Sequence, residues 1–292
     1  MSVIFSLDIR RHKAPGPDTQ AKHNGIYLKG DNGKCIILIH GLTGTPNEMK
    51  FLATFFNKKG YSVVCPRLAY HGEPLDVIKH AKWQDFYGSV KDILIKGELA
   101  DFKGDIFVSG LSMGALLSLH LAHDFPDRIK AVSCLAPTLF YDGWNTPWTK
   151  YFMPFARTPL RYLFYFKEDP PYGIKNEAIQ GRIHRYYKRA KLEDTEGVAQ
   201  YGYPYFPVAL LYQLQLLVKD LSPKLKDIRM PVQMIQAEND DMTSPRNSQF
   251  IYDRISSNMK EIVLLHDSYH VITADQERDT VAEKMEAFFV KT

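Results

Sequence analysis

The hydrophobic positions of this chain fall into two alternating rhythms. Lys34 to Ile39 is a nearly unbroken apolar run ending at His40-Gly41, as a strand buried on both faces would read. Met49, Leu52, Ala53 and Phe56 then recur at helical spacing over residues 46 to 59, and Gly60 closes that helix. Tyr61 to Cys65 predicts the next strand, and a longer helix follows from about Lys82 to Glu98. Asp105 to Ser109 and Ile129 to Leu135 predict two further strands, with a helix from Met113 to His123 between them. The rhythm returns late, as strand Val232 to Ala237, a helix near 245 to 256, strand Glu261 to Leu265, and a last helix from about Gln276 to Val290. Apolar strands alternating with helices predict an α/β fold, a mostly parallel doubly wound sheet with helices on both faces.

Between Pro137 and Ile228 the alternation breaks and aromatic residues crowd the chain. The expected organisation is therefore a lead-in over residues 1–24, a core formed by 25–136 and 229–292, and a cap or lid inserted at 137–228. With 292 residues, 45% of them hydrophobic, the chain is long enough for one such domain. A net charge of +4 marks neither a nucleic-acid binder nor a disordered chain. Cys35, Cys65 and Cys134 are an odd set beside predicted strands, which suits a reducing compartment better than a disulfide framework. The apolar start, Val3-Ile4-Phe5, is too short for a signal peptide. A cytoplasmic location is the expectation.

Gly110-Leu111-Ser112-Met113-Gly114 lies where a predicted strand meets a predicted helix. A serine in so tight a turn needs small neighbours, and the turn lifts its hydroxyl clear of the sheet. The N–H of Met113, at a helix start, would face an oxyanion formed there. A second donor is expected from His40-Gly41-Leu42-Thr43-Gly44, which follows a strand and precedes a helix, with the Leu42 N–H the favoured group. His40 is expected to brace that loop.

A serine hydroxyl becomes nucleophilic when a histidine takes its proton and an acid orients the histidine. Two acids compete in the loop after the strand ending at Ala237, Asp240 and Asp241. After the next strand, His270 stands at the end of its loop, the placement a base requires, whereas His266 lies closer to the strand. Serine, acid and histidine thus occur in one chain order, each beyond a strand.

These segments resemble the bacterial carboxylesterase and monoacylglycerol lipase branch of the α/β hydrolases. The resemblance runs through His40-Gly41-Leu42-Thr43-Gly44-Thr45-Pro46, Gly110 to Gly114, Gln236-Ala237-Glu238-Asn239-Asp240-Asp241-Met242, and His270-Val271-Ile272-Thr273-Ala274-Asp275-Gln276-Glu277. It implies a triad of Ser112, Asp240 and His270, favours Asp240 over Asp241, and implies an oxyanion hole from Leu42 and Met113. Tyr269 before the histidine and Tyr70 before His71-Gly72 depart from the usual pattern, and both border the substrate side.

The expected activity is hydrolysis of a carboxylic ester with an apolar acyl group through an acyl-enzyme, without metal or organic cofactor. The same triad would also serve a thioesterase, an acyltransferase or an amidase. A non-catalytic binding protein or a membrane-associated protein on the same fold is a reading that an intact triad opposes. Trp144, Phe152, Phe155 and Tyr269 are candidate substrate contacts, with Trp148, Tyr162, Phe164, Tyr165 and Phe166 nearby. The basic cluster Arg182, Arg185, Lys188, Arg189 and Lys191 reads as a solvated helix face, or as a contact for a membrane surface or anionic lipid. The partner expected is a small acyl ester, lipids included, and no nucleic acid.

Overall fold

A computed structural model describes residues 2–5, 25–146, 156–189, 197–198 and 202–292. In chain order the strands are β1 Ser2–Phe5, β2 Ile26–Leu28, β3 Lys34–Ile39, β4 Ser62–Cys65, β5 Asp105–Leu111, β6 Ile129–Leu135, β7 Phe164–Lys167, β8 Tyr205–Pro207, β9 Val232–Ala237 and β10 Lys260–Leu265. The helices are α1 Lys50–Lys58, α2 Leu75–Ile78, α3 Trp83–Ile95, α4 Met113–Asp124, α5 Glu177–Arg189, α6 Val208–Leu221, α7 Arg246–Tyr252 and α8 Arg278–Val290.

Seven strands form one sheet in the order β10-β9-β6-β5-β3-β4-β2. Every neighbouring pair is parallel except β2 with β4. The expected mostly parallel, doubly wound sheet is the one observed. Its two faces are legible in β3 alone. Cys35, Ile37 and Ile39 join one core layer with α3 and α4, while Ile36 and Leu38 join the other with α1 and α8. That alternation is the two-residue period of a strand covered on both sides. Helix α4 lies beneath the sheet's centre, and all its residues from Met113 to Ala122 are buried. A helix apolar on every side has no solvent face to show a periodic stripe.

The boundaries move by a few residues where local chemistry intervenes. The helix expected over 46 to 59 opens as a tight 3-10 turn, Pro46–Met49, before α1 begins at Lys50. The helix expected over 82 to 98 stops at Ile95.

The stretch between Pro137 and Ile228 contributes structure that the pattern did not disclose. Strand β7 pairs antiparallel with β1 on one side and β8 on the other, forming a separate three-stranded sheet. Residues 2–5, expected within a lead-in, therefore pair with 164–167. Helix α6 packs against α3 and α4, and its Leu210, Leu214 and Leu217 belong to the same core layer as those helices.

Candidate active site

The four loops that meet here all leave the C-terminal ends of parallel strands β3, β5, β9 and β10. Open α/β sheets place their ligand crevices at that edge. Ser112 links β5 to α4 with φ 58° and ψ −117°, a left-handed conformation costly for a residue with a Cβ. Its neighbours show why the turn needs glycine. A Cβ on Gly110 would lie 2.3 Å from the Gly114 carbonyl carbon, and one on Gly114 would lie 2.3 Å from the Ile39 oxygen. The Ser112 N–H donates to the Leu135 carbonyl at 2.8 Å, tying the turn to β6.

The Ser112 hydroxyl lies 2.8 Å from the hydroxyl of buried Thr138. Thr138 Oγ1 donates to the Ala136 carbonyl at 3.3 Å, so the Ser112 proton points to Thr138. In this arrangement the Ser112 hydroxyl bonds Thr138, and Ser112 and His270 line the same cavity. Catalytic hydrogen bonds often tighten only with substrate in place.

His270 Nδ1 sits 2.9 Å and 3.2 Å from the two Asp240 carboxylate oxygens, with both side chains buried. A carboxylate only accepts, so Nδ1 carries the proton and Nε2 keeps the lone pair a base needs. Asp240 is held in turn by the N–H groups of Met242 and Thr243, each at 2.8 Å, by Gln236 Nε2 at 2.7 Å, and by the Thr243 hydroxyl at 3.0 Å. Burial disfavours the charged imidazole, but the adjacent Asp240 carboxylate outweighs it and His270 sits above its usual range.

Asp241, the rival acid, bonds backbone N–H groups rather than the ring. It accepts the backbone N–H of His270 at 3.3 Å and that of Gly173 at 3.2 Å. It ties the histidine loop to the loop of Gly173, and burial lifts its carboxyl to about 6 despite the pull of His270.

The β3 loop is pinned at successive peptides. The Gly41 carbonyl accepts from His40 Nδ1 at 2.9 Å and from the Gly44 N–H at 3.3 Å. With that oxygen turned inward, the Leu42 N–H of the same trans peptide points the opposite way. His71 Nε2 donates to the Leu42 carbonyl at 2.8 Å. Burial keeps the His40 and His71 rings below their usual range, consistent with bracing roles. The Met113 N–H stands at the start of α4, where the first N–H of a helix has no partner within it.

Ser112, His270, Gly41 and Leu42 share the wall of one cavity of about 340 Å³, which Tyr172 and Tyr187 also line. A second cavity of about 290 Å³ lies beside it, lined by Leu139, Phe140, Phe166, Leu211 and Leu214 among others. Tyr141, Glu168, Phe206 and Met242 border both. Trp144 and Tyr269 line neither. They pack edge to face on each other, 5.5 Å between ring centres, and Trp144 Nε1 donates to the Asn239 carbonyl. Phe152, Phe155, Trp148 and Lys191 lie outside the described residues. Sequence reasoning missed Thr138, Thr243, Gln236, Glu48 and Glu168. Only the spacing of Gln236 and Thr243 around Asp240 carried a hint, as polar residues flanking an expected acid. Among the described residues, no group of three His, Cys, Asp or Glu could hold a metal ion.

A serine raised on a strained strand-to-helix turn, above a mostly parallel sheet and sharing one cavity with a carboxylate-bound imidazole, defines a serine hydrolase with the α/β-hydrolase fold. The chain belongs to the serine aminopeptidase, S33, family of hydrolases, which matches residues 30–277. It is 32% identical over 256 residues to the thermostable monoacylglycerol lipase of Bacillus sp. (strain H-257), covering 88% of this chain and 90% of that one. It is 26% identical over 266 residues to the carboxylesterase of Bacillus subtilis (strain 168), covering 88% and 93%. A solved structure from work on LipS and LipT, two metagenome-derived lipolytic enzymes, superposes with TM-score 0.74 at 25% identity, covering 92% of this chain and 97% of that one. The monoacylglycerol lipase of Paleococcus ferrophilus shares the fold, with TM-score 0.72 at 18% identity, covering 92% and 99%. The protein is an enzyme, a serine ester hydrolase.

Proposed function

We propose that this chain hydrolyses carboxylic esters that join an apolar acyl chain to a small alcohol, of the monoacylglycerol kind, through an acyl-enzyme on Ser112. The observation that carries the reading is the shared wall between the cavity of Ser112 and His270 and the neighbouring apolar chamber. The acyl chain occupies that chamber, and the alcohol faces the Arg182 and Arg278 mouth of the first cavity. Ser112 Oγ bonds to the ester carbon as its proton passes to His270 Nε2. The Leu42 and Met113 N–H groups hold the resulting oxyanion, each worth roughly 2.7–4 kcal/mol in comparable sites. Collapse breaks the carbon–oxygen bond to the alcohol, which leaves with that proton. Water, deprotonated by the same imidazole, then cleaves the acyl-serine.

In this reading residues 137–228 are the cap, with α6 as its anchored end. Three buried, unpaired cysteines support a reducing, cytoplasmic setting. No helix among the described residues is long and apolar enough to cross a membrane. Exposed Arg182, Arg185, Lys188 and Arg189 on α5 support peripheral contact with anionic lipid.

Nitrophenyl esters from acetyl to palmitoyl, with matched acyl thioesters and an aminoacyl nitroanilide, test the proposal. The expected result is a rate that climbs with acyl length until the chamber is full, with oxygen esters the best substrates. Preference for the nitroanilide, or no dependence on acyl length, overturns it.

A further inference from the structure

Glu48 is a carboxylate the reaction scheme leaves unused, yet it lines the cavity that holds Ser112 and His270. Its position is set by backbone. The turn Pro46–Met49 is capped by Thr45, and the Glu48 N–H donates to the Thr45 carbonyl at 3.0 Å. This aims the side chain back into the β3 loop, where Oε2 accepts the Gly41 N–H at 3.1 Å. The carboxyl fills the inside of that loop, since a Cβ on Gly44 would lie 2.1 Å from both of its oxygens. Gly41 is the meeting point. A Cβ there would stand 3.5 Å from Glu48 Oε2 and 3.6 Å from Ser112 Cβ.

We propose that Glu48 is a positioning residue of the oxyanion hole: it fixes the peptide before Gly41, so that the Leu42 N–H keeps its aim, and its charge sets how well the hole works. The inference rests on the acyl-enzyme reading above. Its physical basis is the conflict between two jobs. Either protonation state can accept the Gly41 N–H, but an ionised carboxylate beside Gly41 opposes the negative charge that develops on the substrate oxygen. The groups facing Glu48 across the cavity are His270 on its loop, Glu168 and Tyr187 of the insertion, and the Arg182 and Arg278 side chains at the mouth. Burial raises the Glu48 carboxyl to about 7, although the Gly41 N–H and His270 pull it down. Glu48 is therefore mainly neutral below pH 7 and charged above it.

Glu48→Gln keeps an acceptor for Gly41 and removes the charge; Glu48→Ala removes both. Pre-steady-state acylation rates against pH, with KM and Tm measured alongside, separate the two. In the wild type the rate should rise as His270 loses its proton, then decline as Glu48 ionises. E48Q should retain the wild-type maximum within a few-fold and lose the decline. E48A should lose about 10- to 100-fold in kcat, as misplaced catalytic groups do, with little change in KM. A purely structural Glu48 would lower Tm and leave the profile's shape alone. An E48Q profile that falls at the same pH as the wild type overturns the inference, and so does an E48A enzyme with full kcat. If E48A does not fold, the E48Q profile alone decides. Ser112→Ala, run in parallel, keeps the two claims apart. Acylation that persists there defeats the acyl-enzyme reading, whereas its loss beside unaltered Glu48 variants defeats only the role of Glu48.

Discussion

The floor and the roof of the cavity are built on different principles. The floor consists of loops at the ends of β3, β5, β9 and β10, and its polar groups are held by named hydrogen bonds, five of them to Asp240 when His270 Nδ1 to Oδ2 is counted. The opposite wall, here called the roof, comes largely from residues between 137 and 228, where aromatic and aliphatic side chains dominate and Glu168 is a buried acid lining both chambers. A floor so constrained suits chemistry, which tolerates little displacement. A roof of apolar contacts suits selection among acyl chains, where each methylene is worth ~1–3 kcal/mol. Changes to the floor should therefore act on kcat, and changes to the roof on substrate preference.

The largest effect should come from the floor. Ser112→Ala is expected to lower kcat by about 10⁶-fold, as removal of a serine nucleophile does in comparable triads. Steady-state ester hydrolysis by the folded variant checks it, and residual activity above a hundredth of wild type would break the division. Next come the two neighbouring aspartates. Asp240→Asn should cost about 10⁴-fold in kcat, because an amide donor forces the wrong tautomer on His270. Asp241→Asn keeps an acceptor for the backbone of His270 and Gly173, so its loss should register mainly in stability, by about 1–3 kcal/mol. Equal kinetic losses at the two positions would contradict the geometry that separates them.

A smaller effect is expected in the roof. Leu211→Phe, narrowing the apolar chamber, should reduce kcat/KM for long acyl esters by about 10- to 200-fold and leave acetyl esters near the wild-type rate. A uniform decrease across all chain lengths would place the acyl group elsewhere. The mildest test concerns Glu168. Burial, reinforced by Asp241 and Glu48, lifts its carboxyl from 4.5 to about 8, so the folded chain keeps a proton that the unfolded chain releases. Stability from this group is fullest below pH 4.5 and is lost as pH climbs through 8. Glu168→Gln should flatten the dependence of unfolding free energy on pH across that window. A denaturation series from pH 4.5 to 8.5 that matches the wild type would show that the roof does not bury this charge.

The same division explains what could be read from the chain beforehand. Strands β3, β6 and β9 were recognisable to the residue, because a strand buried on both faces is a plain apolar run. Ser112, Asp240 and His270 could be proposed because each stands in a loop after a strand. Helix α6 was missed although it is strongly apolar, since it follows an aromatic segment with no strand signal before it. Strands β7 and β8 are four and three residues long, too short for periodicity to register, and the pairing of β7 with β1 spans some 160 residues of sequence. Glu48 and Glu168 had no signal at all. A glutamate in a turn or between charged neighbours reads as surface, and only the folded loop shows that one is enclosed by Gly41 and Gly44 and the other lines two chambers.

The claim beneath all of this is that the Ser112 hydroxyl is the group that carries the acyl chain. Rapid mixing with a long-chain nitrophenyl ester, acid quenching and peptide mass mapping reads that directly. The account predicts an added acyl mass on the peptide bearing Ser112, formed within a burst of one nitrophenolate per active site and slowed about 10⁴-fold in Asp240→Asn. An acyl group found on another residue, or an undiminished burst from Ser112→Ala, would contradict it.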